Sequence, residues 1–142
     1  MSAQLFHLVN LIATAAWILL ISFPRWRYTT IGILNGIIMM LCILYLGLLI
    51  YWFSIGCKGG FDSLETVMLL FKDPKAVLAG WIHYLAFDLF VGLWITQDAI
   101  KIGLNRWLLI PVQILTFMFG PVGFGMYWFI RRFKTKAIIL GL

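Results

Sequence analysis

Four runs of apolar residues, separated by short polar stretches, organise this 142-residue chain. They cover approximately Ala3 to Phe23, Ile31 to Phe53, Ala76 to Ala99 and Trp107 to Ile130. A helix crossing about 30 Å of hydrocarbon needs roughly 20 mostly apolar residues, so each run predicts a transmembrane helix. Turn chemistry marks the boundaries. Pro24 and RWRYTT follow the first run, and KDP (Lys72 to Pro74) precedes the third. Trp26, Trp52, Trp81, Trp107 and Trp128 fall near the run ends, where indole rings favour the headgroup region and read as anchors. The first run has no basic residue before it and no small-residue cleavage site after it, so a retained helix is expected and not a signal peptide.

The connection between the second and third runs has a pattern of its own. GCKGG (Gly56 to Gly60) is flexible, and Asp62 and Glu65 then fit a D-x-x-E helix start. Leu64, Val67, Met68 and Phe71 recur at helical spacing, which predicts a short interfacial helix over Asp62 to Phe71, packed on the bundle as a lid or serving as a simple connector. Gly32 and Gly36 form G-x-x-x-G, a spacing that lets helix backbones approach closely and leaves a homo-oligomer open. In GPVGFG (Gly120 to Gly125), Pro121 removes a backbone donor and the glycines loosen the helix, so a kink or break is expected within the fourth run.

Composition agrees with the pattern. The chain is 63% hydrophobic and 11% charged, against about 25% charged residues in soluble domains. The expected fold class is an all-α integral membrane protein. Residues 1–142 form a single domain, a bundle of four transmembrane helices with the interfacial helix between spans two and three. The net charge of +6 does not indicate nucleic acid, because the basic residues lie between or after the apolar runs, as membrane topology requires. Lys58, Lys72, Lys75, Arg131, Arg132, Lys134 and Lys136 outnumber Arg25, Arg27, Lys101 and Arg106, and for four spans this predicts both termini in the cytoplasm. Cys42 and Cys57 form no CxxC pair, and no metal-ligand spacing is present, so neither metal nor cofactor is expected.

Against this apolar background, GWIHYLAFDLF (Gly80 to Phe90) places a histidine and an aspartate in the third run. Asp88 is 12 residues beyond Ala76, roughly 18 Å along a helix and so close to the bilayer midplane. A carboxylate there costs about 2.5–3.5 kcal/mol on insertion scales and must face the bundle interior or a wet cavity. Trp81, Tyr84, Gly92 and Ile95 lie on the same helical face, an aromatic surface with a gap at Gly92. His83 lies about 140° round the helix, so the two make no simple dyad. Either Asp88 serves a ligand, or it clamps the bundle through Asn35, Gln113 or Thr116. Asp98, about 15 Å further along, is expected near the opposite interface, paired with Lys101 or Arg106. His7 and Asn10 share a face of the first span, at the interface or in the same polar pocket.

GWIHYLAFDLFVGLWITQD, together with the later GPVG, resembles the abscisic-acid-deficient-four-like family of small four-span membrane proteins. The similarity covers roughly Ser63 to Arg131, the W-x-H followed by D-L-F being its most specific part. The matching positions are Trp81, His83, Asp88, Leu89, Phe90, Asp98, Pro111, Gly120, Pro121 and Gly123. Plant members of that family are required for converting violaxanthin to neoxanthin in plastids. The resemblance therefore implies a carotenoid or isoprenoid ligand and an acid–base isomerisation. Asp88 would protonate an epoxide oxygen and His83 remove a carbon-bound proton, with no net redox change. Trp81, Tyr84, Phe87, Gly92, Asp98, Gly120 and Pro121 would contact the substrate. No transit peptide is expected before the first run, and the expected location is a bacterial inner membrane, where violaxanthin itself is not the expected substrate. Two other classes fit the same residues: a non-catalytic pigment- or lipid-binding accessory subunit of a membrane complex, and a small proton-linked transporter.

Overall fold

Three long helices lie side by side, and a fourth apolar segment folds back on itself. The computed structural model describes residues 2–56 and 59–135, all helices and short turns with no strand among them. Cys57 and Lys58 of the second loop and Lys136 of the basic tail lie outside the described residues. In chain order the helices are α1 (Ser2–Ser22), α2 (Arg27–Ile31), α3 (Met39–Ser54), α4 (Leu64–Leu70), α5 (Pro74–Lys101), α6 (Arg106–Met118) and α7 (Gly120–Thr135). A π-helical segment, Gly32–Ile38, joins α2 to α3 without interruption. Both glycines of the G-x-x-x-G lie in it, where their low helical preference favours a widened turn.

Among the described residues, three units are long and apolar enough to cross a membrane: α1, the Arg27–Ser54 rod and α5. Their limits agree closely with the first three apolar runs. α5 is the axis of the molecule. Leu78, Ile82, Leu85 and Ala86 pack with Val9 and Ala13 of α1 and Leu41 of α3. Further along, Leu89 and Leu93 meet Ala16, Trp17 and Leu20 of α1 and Ile33 and Ile38 of the rod. Ile95 and Ala99 meet Leu109 and Val112 of α6 and Tyr127 of α7.

The fourth run departs from expectation. It does not form one span over Trp107 to Ile130 but breaks at Phe119, which takes φ −144° and ψ 69°. The cause is local. Pro121 has no N–H to return to the Phe117 carbonyl, and its ring crowds that same turn. Val122 and Gly123 instead donate to the Phe119 carbonyl (2.8 and 3.1 Å), which starts a new helix. α6 runs antiparallel to α5: Gln113 donates to Thr96 Oγ1 (2.8 Å), and the Phe117 and Met118 carbonyls reach Tyr84. α7 then reverses and runs parallel to α5, with Gly120 beside Asp88, Phe124 and Tyr127 beside Trp94, and Arg131 on Asp98. The hairpin is tight enough that a Cβ on Gly123 would overlap the Thr116 backbone. Thus α6 and α7 form a hairpin whose tip sits level with the middle of α5. Ser2 lies at the Pro74 end of α5 and Thr135 at its Lys101 end, so the four-span premise for placing both termini on one side does not hold.

The linker helix starts one residue later than the D-x-x-E pattern implies. Ser63 caps it by accepting from Thr66 N–H (3.3 Å), and Thr66 Oγ1 accepts from Ser63 N–H in return (3.2 Å). Asp62 accepts from the Thr66 hydroxyl (3.1 Å). The Glu65 carboxyl is held below the usual carboxylate range by its own backbone N–H and by the Ser63 side chain. Two of the expected anchors are tied into the bundle: buried Trp52 donates to Asp73 Oδ2 (3.1 Å) and Trp81 donates to Asn10 Oδ1 (3.1 Å).

Candidate functional site

The helical break frees two carbonyls at the tip of the hairpin, and α5 supplies what caps them. The Tyr84 hydroxyl donates toward Phe117 O (3.3 Å) and Met118 O (3.1 Å). Asp88, one turn further along α5, faces that hydroxyl and the Gly120 N–H at the start of α7. A side chain at position 120 would collide with the Asp88 carboxylate, so only glycine lets the backbone come this close. Asp88 Oδ2 is buried with no hydrogen-bond partner among the described residues. None of the three clamp partners reaches it: Gln113 is bonded to Thr96, Thr116 Oγ1 donates to Val112 O (2.8 Å), and Asn35 is exposed. Trp81 leans on Tyr84 at 40° between planes with ring centroids 5.3 Å apart, and Phe119 and Pro121 of the hairpin tip are exposed beside it.

His83 is on another side of α5. Its ring stacks on Phe87 (4.6 Å, 21° between planes) and leans on Tyr45 of α3 (5.3 Å). It lines a cavity of about 300 Å³ between α3, α4 and α5, walled mainly by Leu49, Trp52, Val67, Leu70 and Phe71. α4 closes this cavity with Val67 and Leu70, while Leu64 and Met68 point outward and are exposed. His83 and Asp88 therefore lie in two separate places along α5. His83 lines the apolar cavity, with Phe87 stacked on its ring; Asp88, Tyr84, Trp81, Gly120 and Pro121 lie at or beside the hairpin tip.

The remaining candidates have partners inside the protein. The gap at Gly92 is filled by the Trp17 indole of α1, leaving no room for a Cβ. Asp98 is buried and pairs with neither Lys101 nor Arg106. Tyr127 donates to its Oδ2 (2.5 Å), and Arg131 makes an ion pair with the same oxygen (2.6 Å). The expectation failed because a single span would have carried Arg131 to the far side, whereas the hairpin returns it to Asp98. Arg106 instead donates to the Ile21 and Ser22 carbonyls (both 3.1 Å) and so caps α1. Asn10 bonds Phe6 O (2.6 Å) as well as Trp81, and His7 is exposed with its ring edge against Phe6. No cluster of three metal-ligating side chains occurs among the described residues.

All helix, with three apolar helices of membrane length among the described residues, the chain has the make-up of a helical membrane protein. The model of the ABA DEFICIENT 4-like family matches residues 4–127, and the chain belongs to that family. The match begins well before Ser63 and takes in α1 and the rod. No curated protein and no solved structure matches the chain.

Proposed function

We propose that this protein is an integral membrane protein that binds a carotenoid- or isoprenoid-type lipid and isomerises it by acid–base chemistry of the neoxanthin-synthesis type. The observation that carries the reading is the buried, unpartnered Oδ2 of Asp88, level with the middle of α5 and against the broken tip of α6–α7. Irregular backbone at membrane depth is tolerated where it is buried or lines a cavity, and an intramembrane carboxylate marks such a place.

In its acid form, Asp88 donates its proton to an epoxide oxygen as the C–O bond breaks. The carboxylate then takes the proton released from the neighbouring polyene carbon, so atoms and charge balance with no redox partner. His83 is not the base in this scheme, because its ring lies in the separate cavity. That cavity is at the small end of the range for ligand sites and is lined mainly by apolar side chains, so it suits an end ring of an isoprenoid. Family membership supports a ligand of this kind.

In a bilayer, α1, the rod and α5 cross, and the α6–α7 hairpin enters and leaves on one side. Among the described residues, Arg25, Arg27, Lys101, Arg106, Arg131, Arg132 and Lys134 gather at that side, against Lys72 and Lys75 at the other. By the positive-inside rule the hairpin side is cytoplasmic and the N-terminus lies across a bacterial inner membrane from it.

The test is to extract lipid from cells making the wild-type protein or Asp88→Asn and compare the polyenes by absorbance and mass spectrometry. The proposal expects conversion to stop while the folded protein still carries its ligand. Unchanged conversion by Asp88→Asn would overturn it. A non-catalytic accessory role is the second reading. It is favoured by the open face at Gly32 and Gly36, where nothing lies within 4 Å of an added Cβ. In that case ligand would co-purify and never change.

A further inference from the structure

The end of the molecule that carries the hairpin's return also carries an arrangement for which the isomerisation has no use. α1 stops before Pro24, and the chain crosses to α2 through Arg25, Trp26 and Arg27. Two adjoining clefts of about 240 and 500 Å³ open between this turn and α5–α6, and they share Pro24 and Arg25. Arg106 lines the first and Arg27 the second. Phe23, Leu104 and Leu109 give the first cleft an apolar floor.

Charge around these clefts is uncompensated. Arg25 and Arg27 are exposed and make no hydrogen bond or ion pair with any described residue. Asp62, Glu65 and Asp73 lie at the opposite end of α5, and Asp88 lies midway. Among the described residues the one carboxylate at this end, Asp98, is held by Arg131 and Tyr127. Arg106 spends one nitrogen on the α1 carbonyls and keeps its other donors. Guanidinium groups present several donors in the planar geometry that phosphate accepts, and the apolar floor beneath them suits an acyl chain.

We propose that the Arg25–Arg27–Arg106 crevice binds the phosphate headgroup of an anionic phospholipid, with one acyl chain lying along Phe23, Leu104 and Leu109. Such a site ties the α1–α2 turn to the foot of the hairpin. It also anchors the basic end against the anionic surface of its own leaflet, where each nearby arginine adds to binding.

The full chain is reconstituted in phosphatidylcholine nanodiscs with a titrated fraction of phosphatidylglycerol, and retained lipid is counted by native mass spectrometry. The variants are Arg25→Gln/Arg27→Gln and, at the same end, Arg132→Gln/Lys134→Gln, which removes equal charge outside the crevice. We expect wild type to prefer phosphatidylglycerol and the crevice variant to lose about 30-fold of that preference, the loss of two direct guanidinium–phosphate contacts. The other variant should lose no more than a few-fold. Equal retention of the two lipids by wild type would overturn the proposal, as would equal losses in the two variants. Inorganic phosphate forms a separate arm. If it binds the detergent-solubilised protein with the same arginine dependence and displaces the lipid at millimolar concentration, the lipid assignment fails in favour of a soluble phosphate ester.

Discussion

Asp88 and Asp98 are the same residue type on the same helix, about 15 Å apart, yet they sit in opposite circumstances. Asp98 is closed off: an arginine and a tyrosine converge on one oxygen, and apolar residues from α5, α6 and α7 pack round them. Asp88 faces a tyrosine already occupied with two carbonyls and a single backbone N–H, and one of its oxygens is left over. A buried charge that is paired and hydrogen-bonded is held in place, and removing its partner is costly. A buried oxygen without a partner costs stability instead of adding to it. The contrast separates a carboxylate that holds the hairpin from one whose second oxygen the hairpin leaves without a partner among the described residues.

Four substitutions test that contrast. Asp98→Ala removes the buried carboxylate on which Arg131 and Tyr127 converge and should destabilise the protein by about 3–5 kcal/mol, read as a lowered unfolding midpoint in detergent. Gly120→Ala drives a methyl into the Asp88 carboxylate and should cost about 1–3 kcal/mol, with loss of any Asp88-dependent conversion. Should Gly120→Ala be neutral in both measurements, the close approach at the hairpin tip would have no role. Tyr84→Phe removes the donor to the Phe117 and Met118 carbonyls and should cost about 1–3 kcal/mol, with faster amide hydrogen exchange confined to residues around Phe119. Asp88→Asn, which keeps the shape of the side chain, should change stability by less than about 1 kcal/mol while abolishing conversion. A large stability loss in Asp88→Asn would make the two aspartates alike and remove the distinction.

Much of this architecture was legible in the chain. The length of the apolar runs gives α1, the rod and α5 within a few residues, because helix length and hydrocarbon thickness are linked by simple geometry. The break in the fourth run was also legible, since Pro121 and its glycines disrupt helix through local chemistry. The direction the chain takes beyond the break was not. A kinked span and a re-entrant hairpin have the same hydropathy, and only the tertiary pairs decide between them: Tyr127 and Arg131 with Asp98, and Gly123 with Thr116. One signal was available in Arg131 and Asp98 themselves, a cation and an anion at the ends of runs that a four-span topology places on opposite sides. The angular separation of His83 and Asp88 was readable from the 100° step per residue, and their side chains face different neighbours. That Trp17 fills the gap at Gly92 could not be read, because nothing local tells which helix offers the ring.

The hairpin also bears on how the chain enters a membrane. A segment that returns to the side it came from carries no charged residue across, so the basic residues after Ile130 need not be translocated. On the proposed orientation, with that end in the cytoplasm, two pieces cross. One includes residues 2–24, which hold no Asp, Glu, Lys or Arg. The other is the α3–α5 connection, where Lys58, Lys72 and Lys75 are matched by Asp62, Glu65 and Asp73. The side chains of both pieces sum to a charge near zero, which lowers the electrical work of insertion against the membrane potential.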